Sequence, residues 1–375
     1  MAIHIAIMDE NPITILTPLL DSKMQAEGLL LIHTHQQQAK VDAFLQLVRE
    51  YKKTTQVWIL PDTLSTDEIM RSLHVMAEQY QGTDFFYNAS NGDRHVMLAA
   101  TNISRSYGYG IFVLEPKRDE VSWLVPSDIA PMPIEDLIRL PTMLRLFDAR
   151  LISSQRKQSL KPSVRNVGAL WASNAQVHAK PLGSLNWLAM NSKQLVTPEL
   201  SQSMLEDRKL QGFISDLEGL GYLQVIDNRL HFKDAEARFF ANGGWLEEYV
   251  FSVVDLLRHE FSEIQDLAQG VTVKRRCATG DVENEIDVAF VANNKLHLIE
   301  CKAKRIEAED AKAVAYKLDA LTDILGGSHA RALVVSFRPL SDADVLRTKA
   351  QGIEVLAGEQ LGQLKHHMRQ WLSGC

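Results

Sequence analysis

The chain has 375 residues, of which 46% are apolar and 23% charged, the profile of an ordinary globular protein with room for two or three domains. Its 40 Lys and Arg face 47 Asp and Glu, so the net charge of −7 gives no global signal for nucleic acid, and such a partner would need a local basic patch. Three scattered cysteines without C-x-x-C spacing argue against a disulfide framework or a zinc site. No apolar run reaches the roughly 20 residues of a membrane span and the start lacks a basic signal-peptide region, so we expect a cytoplasmic protein without a membrane partner.

Residues 1–150 alternate short apolar runs with stretches of helical periodicity at 38–51 and 66–80. Strands that alternate with helices and are nearly continuously apolar form parallel βαβ units, because both faces of such a sheet are covered. The segment therefore predicts an α/β fold with a Rossmann-like parallel sheet. Its candidate strands are HIAIMD (4–9), LLLIHTH (29–35), QVWILP (56–61), DFFYNAS (84–90) and GYGIFVLEP (108–116).

Two polar loops, 8–15 and 88–97, follow the first and fourth predicted strands, where ligands bind in sheets of this kind. These residues could equally be ordinary turn and capping residues. Neither loop is G-x-G-x-x-G or a P-loop, which argues against a dinucleotide cofactor or NTP hydrolysis. The candidate ligand-binding residues are Asp9, Asn11, Pro12 and Thr14 in the first loop and Ser90, Asn91, Gly92, Asp93, Arg94 and His95 in the second.

Residues 151–238 predict a linker followed by a winged-helix-like domain. A helix ends near Gly219 to Gly221, and a hairpin turns at Asp227-Asn228. A winged helix that reads DNA is expected to carry a basic recognition helix, whereas this segment is mixed in charge. The pattern favours a structural or dimerising role.

Residues 239–375 give the order α-β-β-β-α-β, with helices at 243–261 and 307–325 and strands at 271–277, 284–292, 295–303 and 331–337. Asn293-Asn294 suits a two-residue hairpin turn, which pairs Ala292 with Lys295. In that register Asp287 lies opposite Glu300, and Glu285 lies opposite Lys302 on the same face.

The opposed carboxylates of Asp287 and Glu300 repel each other at the open end of a hairpin that is otherwise apolar. A Mg²⁺ or Mn²⁺ ion between them would remove that repulsion, and the Lys302 ammonium could stabilise charge on a phosphate or position a hydroxide. The alternative is an ordinary hairpin with a surface ion-pair cluster.

Two charged residues lie on apolar helix faces. Glu247 aligns with Val250 and Val254, where an unpaired carboxylate is costly unless a metal or a hydrogen bond meets it. Lys317 lies on the apolar stripe of the following helix, although a long lysine can extend to solvent.

The helix glutamate, Asp287 and Glu300-Cys301-Lys302, together with GGWLEEYV, resemble the PD-(D/E)xK nuclease superfamily over about residues 240–340, except that Ile286 replaces the proline before the aspartate. The resemblance implies a restriction-endonuclease-like domain. It implies Asp287, Glu300, Lys302 and Glu247 as catalytic residues, and Asp287, Glu300, Glu247 and the Cys301 carbonyl as metal ligands.

The first segment resembles the CRISPR-associated Rossmann-fold sensor domain, with Asn91-Gly92-Asp93-Arg94-His95 as a loose match to its second ligand motif; a second glycine is missing and His95 replaces a lysine. The whole chain resembles the CRISPR ancillary nucleases. This implies a homodimer that binds a cyclic oligoadenylate, foremost cyclic tetra-adenylate, and then cuts single-stranded RNA or DNA or nicks duplex DNA in type III antiviral defence. Positive charge for that substrate is available at Lys274, Arg275, Arg276, Lys304, Arg305 and Lys317.

Two other functions stay open. The chain could be an effector-controlled DNA-binding regulator in which the nuclease-like domain is structural, although the intact Asp287, Glu300 and Lys302 count against this. The sensor domain could also degrade its own cyclic ligand, for which Arg94 and His95 are the nearby candidates.

Overall fold

The computed structural model describes residues 2–62, 65–155, 160–277, 280–304 and 308–374. The chain forms two compact units, Met1–Asp148 and Ala149–Gly374. Across these described ranges, no helix combines the length and the apolar character that crossing a membrane would require.

The first unit is a seven-stranded sheet in the order β3-β2-β1-β4-β5-β6-β7. Strands β1 to β5 are parallel, as predicted, whereas β6 and β7 extend the sheet in antiparallel fashion and were not anticipated. The strands are β1 (Ala2–Ile7), β2 (Ala26–Thr34), β3 (Thr54–Leu60), β4 (Phe85–Asn88), β5 (Gly110–Glu115), β6 (Glu120–Val125) and β7 (Met132–Pro133). The helices are α1 (Ile13–Leu20), α2 (Gln38–Glu50), α3 (Thr66–Gln79), α4 (Arg94–Ser106) and α5 (Leu140–Leu146).

The strand order of this sheet positions the predicted ligand loops. β1 and β4 are direct neighbours, with Ile5 beside Tyr87, so their carboxyl ends lie side by side. Strands β1, β2 and β4 are mostly buried because apolar residues such as Leu30 and Ile32 pack under the helices. The two loops that follow β1 and β4 therefore meet at one edge of the sheet.

The second unit is built on a six-stranded sheet in the order β15-β14-β13-β12-β11-β8. β8, β11, β12 and β13 are antiparallel, and β13, β14 and β15 are parallel. The strands are β8 (Ala149–Gln155), β9 (Leu223–Ile226), β10 (Arg229–Phe232), β11 (Ile264–Cys277), β12 (Gly280–Ala292), β13 (Lys295–Lys302), β14 (Arg331–Ser336) and β15 (Glu354–Ala357). The helices are α6 (Pro162–Ala172), α7 (Ala175–Met190), α8 (Gln202–Glu206), α9 (Arg208–Gly219), α10 (Ala235–Phe239), α11 (Trp245–Leu257), α12 (Ala308–Gly326), α13 (Asp342–Ala350) and α14 (Leu364–Ser373).

The predicted middle domain, residues 151–238, is not a compact unit of its own. β8 lies in the predicted linker, yet it forms an edge strand of the large sheet beside β11. Trp171 of α6 packs against Phe213 of α9 and Trp245 of α11, with ring centroids 5.1 and 5.6 Å apart. These rings belong to one continuous apolar core, so the middle and C-terminal segments bury their apolar surface together.

The predicted hairpin within that segment is present. β9 and β10 pair in antiparallel fashion across Asp227 and Asn228, which have φ angles of 50° and 55°. Helix α9 ends at Gly219, as the glycines predicted. Helices followed by a short hairpin agree with the predicted outline, while the winged-helix assignment itself stays a prediction.

The hairpin of β12 and β13 has the predicted register. Asn293 and Asn294 have φ angles of 48° and 51°, and the pairs run from Ala292–Lys295 to Val288–Ile299. The turn is anchored by Gln265, whose Nε2 donates to Asn294 Oδ1 at 2.7 Å and whose Oε1 accepts from the Asn294 N–H at 3.0 Å. This anchor fixes which residues of the two strands meet at the far end.

We expect Asn294→Ala to destabilise the second unit by about 2 kcal/mol, because alanine is strained at positive φ and Gln265 loses a buried hydrogen bond. Asn228→Ala is the matched control, since Asn228 has a similar φ in the β9–β10 turn but is exposed. Urea unfolding of both variants measures the difference. Equal losses of stability would contradict an anchoring role for Gln265.

Candidate active site

Two glycines let the start of α11 approach the end of β13. Gly243 has a φ of 113°, and a Cβ there would lie 3.1 Å from the Cβ of Ala303. A Cβ on Gly244 would lie 2.2 Å from the Phe239 ring. Because neither position can accept a larger side chain without rearrangement, the first turn of α11, with Glu247, begins next to the strand that ends in Lys302.

Helix α11 covers one face of the hairpin. Val250 and Val254, on the predicted apolar face of the helix, share an apolar core with Val288 and Ile299. Glu247 is half-buried in the first turn of the helix, and its neighbour Glu248 is buried. The helix thus brings a carboxyl group to the margin of this face.

Glu300 lies on the opposite face and is only 5% exposed. Its Oε1 accepts from Lys302 Nζ at 2.6 Å, and its Oε2 accepts from Lys317 Nζ at 3.2 Å. Lys302, predicted to lie opposite Glu285, directs its ammonium group to Glu300 on its own strand. Lys317, predicted only as a nucleic-acid contact, belongs to this cluster.

Asp287 occupies the open end of the hairpin, one residue beyond the last strand pair. Its Oδ2 accepts the backbone N–H of Cys301 at 2.6 Å, so the side chain caps the end of the ladder. On the β11 side the register runs through Gln269–Val288 and Val271–Ile286, which places Gly270, with a φ of 57°, opposite Asp287. Gly270 lies one residue before the predicted strand, which began at Val271, so its place in β11 was not predicted. A glycine within an apolar strand run was the available signal.

The carboxyl groups of this cluster are electrostatically strained. Burial, followed by the charges of Asp287 and Glu285, raises the pKa of Glu247 to about 8. Burial and the Glu300 carboxylate raise the pKa of Asp287 to about 6. Burial lowers the pKa of Lys302, but Glu300 outweighs this and the net shift is upward. Four acidic groups, those of Glu247, Glu285, Asp287 and Glu300, therefore interact here, and the predicted repulsion between Asp287 and Glu300 is one of these effects.

The donor set suits a hard divalent cation, since Asp287, Glu300 and Glu247 offer carboxylate oxygens. The Cys301 side chain is buried and the pKa of its thiol is raised, so the thiol stays neutral and only its backbone carbonyl could serve. Within the ranges that the structure describes, the acidic, histidine and cysteine side chains do not form a preassembled group of three metal ligands. A cation bound by Glu300 would compete with its two lysine partners for the carboxylate oxygens.

The basic residues predicted to contact nucleic acid differ in their exposure and in whether an ion pair already compensates their charge. Lys274 forms ion pairs with Asp281 at 3.1 Å and Glu283 at 3.7 Å, which compensate its charge. Arg276 and Lys304 are exposed, and Arg275 is half-buried. Arg305 lies outside the described residues.

The two loops of the first unit are joined by hydrogen bonds. Asp9 accepts from the N–H of Asn11 at 2.7 Å and from the N–H of Gly92 at 3.1 Å. Asn91 Nδ2 donates to the Asn11 carbonyl at 2.6 Å. A Cβ on Gly92, which has a φ of 130°, would lie 2.8 Å from Ile7. The structure thus brings the predicted ligand loops into one cluster, while their ligand-binding role stays a prediction.

Several of the predicted ligand residues have structural roles there. Pro12 and Thr14 are buried. Ser90 donates its hydroxyl to Asn88 and accepts from the Leu114 N–H. Asp93 caps helix α4 by accepting from the His95 and Val96 N–H groups. Arg94 and His95 are exposed in the first turn of that helix.

Comparison with known proteins agrees with this arrangement. The profile of the Card1-like endonuclease domain matches residues 234–374. Protein VC1899 from Vibrio cholerae is 35% identical, with a TM-score of 0.92 over 100% of this chain and 98% of that chain. The chain belongs to the CRISPR ancillary nuclease family. The endonuclease domain of this family is the part of the chain that contains Asp287, Glu300 and Lys302.

Two more distant structures share the fold of this family member. Can2 from Sulfobacillus thermosulfidooxidans, solved in complex with cyclic tetra-adenylate, is 21% identical, with a TM-score of 0.80 over 99% of this chain and 96% of that chain. A type III CRISPR defence DNA nuclease activated by cyclic oligoadenylate is 16% identical, with a TM-score of 0.58 over 91% of this chain and 47% of that chain. No curated protein shows a significant match.

In the presence of a metal chelator, we expect the free energy of unfolding of the protein to fall as the pH is raised from about 5 to about 8. The pKa of Glu247 is raised from 4.5 to about 8, so the folded state holds this proton more tightly, and that stabilisation is lost as the pH rises through the folded value. Glu247→Gln should remove much of this slope and be more stable than wild type at pH 9, by roughly 1–3 kcal/mol.

Urea unfolding at pH 5, 7 and 9 measures this effect. Glu359→Gln, at an exposed carboxylate of the same unit, is the control. A Glu247→Gln variant that keeps the wild-type slope would show that Glu247 is not the strained group.

Proposed function

We propose that this family member is a nuclease that hydrolyses the phosphodiester bonds of single-stranded RNA or DNA, or nicks duplex DNA, and that cyclic tetra-adenylate activates it. The observation that carries the proposal is the buried Glu300 carboxylate, held between two ammonium groups next to Asp287. A structural hairpin has no need for such a cluster, because a buried charge pair is weak support for stability.

Asp287, Glu300 and Glu247, with the backbone carbonyl of Cys301, would hold the Mg²⁺ or Mn²⁺ ion. When bound, a divalent cation polarises a phosphodiester and lowers the pKa of a water molecule. Lys302 lies 2.6 Å from Glu300, where its ammonium can orient the attacking water or stabilise charge on the phosphate oxygens. The Cys301 N–H donates to Asp287 and holds its carboxylate in place, so the orientation of Asp287 does not depend on a bound cation.

The first unit would bind the cyclic oligoadenylate at the joined loops. The start of α4 presents the positive end of the helix dipole, together with the exposed Arg94 and His95. This supports binding of an anionic ring of phosphates. We propose a homodimer that binds one ring between two such loop clusters. For the ligand to act as a switch, it must bind the active arrangement better than the inactive one.

We expect Glu300→Gln and Lys302→Met each to lower ligand-dependent cleavage at least about 100-fold, because each removes a charge that acts on the phosphate or the cation. The assay supplies single-stranded RNA, single-stranded DNA and supercoiled plasmid with Mn²⁺, with and without cyclic tetra-adenylate. Lys233→Met, at an exposed lysine of the same unit, is the control. The proposal would be abandoned if wild type cut none of the substrates, or if both site variants cut as well as wild type.

We expect Arg94→Ala to weaken binding of cyclic tetra-adenylate about tenfold, because it removes a charge at the start of α4. Arg105→Ala is the matched control, since Arg105 is exposed in the last turn of the same helix. Calorimetry measures the affinity, and the ligand concentration for half-maximal cleavage should rise in parallel. Equal affinities of the two variants would place the ligand away from these loops.

A further inference from the structure

Both carboxylate oxygens of Glu300 are already paired. Lys302, on the same strand, places its Nζ 2.6 Å from Oε1. Lys317, on α12, places its Nζ 3.2 Å from Oε2. The Glu300 side chain is 6% exposed, whereas that of Lys317 is 37% exposed. The Lys302 side chain is 31% exposed, so both ammonium partners of this buried carboxylate reach water.

The position of Lys317 on α12 is not explained by packing. Its neighbours Leu318 and Leu321 are buried, so its stem runs along an apolar face to bring the ammonium to Glu300. One ammonium group, that of Lys302, already pairs this carboxylate. A second lysine adds desolvation and ordering costs for a partner that Glu300 already has.

The formal charges of the cluster show what the second lysine changes. Two carboxylates, Asp287 and Glu300, face two ammonium groups, Lys302 and Lys317, so these four groups are neutral together. Without Lys317 the same cluster carries one net negative charge beside the Glu247 carboxyl. A cluster of that kind attracts a divalent cation more strongly than a neutral one does.

We propose that Lys317 sets the cation affinity of this site: in the cation-free protein it holds Glu300 Oε2, and it competes with a cation for that oxygen. Once released, the Lys317 ammonium lies on the solvent side of the cluster, where it can contact a phosphate of the bound nucleic acid. Lys317 is thus a positioning residue for the cation and a binding residue for the substrate. This inference rests on the proposed function.

The test is Mn²⁺ binding to the full-length protein, measured by electron paramagnetic resonance of free Mn²⁺. Lys317→Met should bind Mn²⁺ about tenfold more tightly than wild type, because the competing ammonium is gone. Lys317→Arg should stay near wild type, and Lys312→Met, at an exposed lysine of the same helix, should not change the affinity. In the cleavage assay, Lys317→Met should raise KM for nucleic acid more than it changes kcat.

The outcomes separate this inference from the proposed function. If wild type binds no Mn²⁺, or if Glu300→Gln binds Mn²⁺ as tightly as wild type does, the proposed cation site fails. If binding depends on Glu300 but Lys317→Met binds Mn²⁺ no more tightly than wild type, Lys317 is a structural ion-pair partner and the inference is overturned. Should Lys317→Met fail to fold, Lys317→Gln, which keeps a polar end group, replaces it and the same comparison decides.

Discussion

The candidate active site depends on one physical constraint, the burial of the Glu300 carboxylate at the end of an apolar strand. A buried carboxylate needs charged or hydrogen-bonding partners, because removing it from water is otherwise too costly. Glu300 obtains them from its own strand, through Lys302, and from α12, through Lys317. Asp287 is half-buried, and its pKa is raised first by burial and then by the Glu300 carboxylate. Burial therefore underlies both the ion pairs of Glu300 and the raised pKa of Asp287.

Remote features keep that constraint in register. The Asn293-Asn294 turn lies at the opposite end of the hairpin, yet it sets the strand register. In that register Asp287 and Glu300 both lie one residue beyond the last strand pair. The Gly243-Gly244 turn has a comparable effect on α11, because it allows Glu247 to come close to the end of β13. Turn chemistry in short segments therefore determines which carboxyl groups share the site.

Most of this site could be predicted from the sequence because its determinants are local. The hairpin register follows from two asparagines, and the misplaced charge of Lys317 is visible in the helical period. Gly270 and the Lys317–Glu300 pair were missed because they depend on how separate elements meet. Strand β8 was missed for the same reason, since a short polar strand becomes an edge strand only when β11 is present beside it. The core shared by α6, α9 and α11 likewise depends on long-range packing of aromatic rings.

The two candidate sites differ in what their polar groups contact. In the joined loops, Asp9 and Asn91 form hydrogen bonds with the neighbouring loop backbone, so this cluster has a defined shape before any ligand binds. Such preorganisation lowers the entropy that binding must overcome. In the carboxylate cluster, burial and mutual repulsion raise the pKa of Glu247 and of Asp287, so their charged forms are disfavoured unless a cation compensates them. Preformed loops suit recognition of a ligand of fixed shape, whereas carboxylates whose charge is disfavoured respond to a cation, which supports the proposed roles of the loops as sensor and of the hairpin as catalyst.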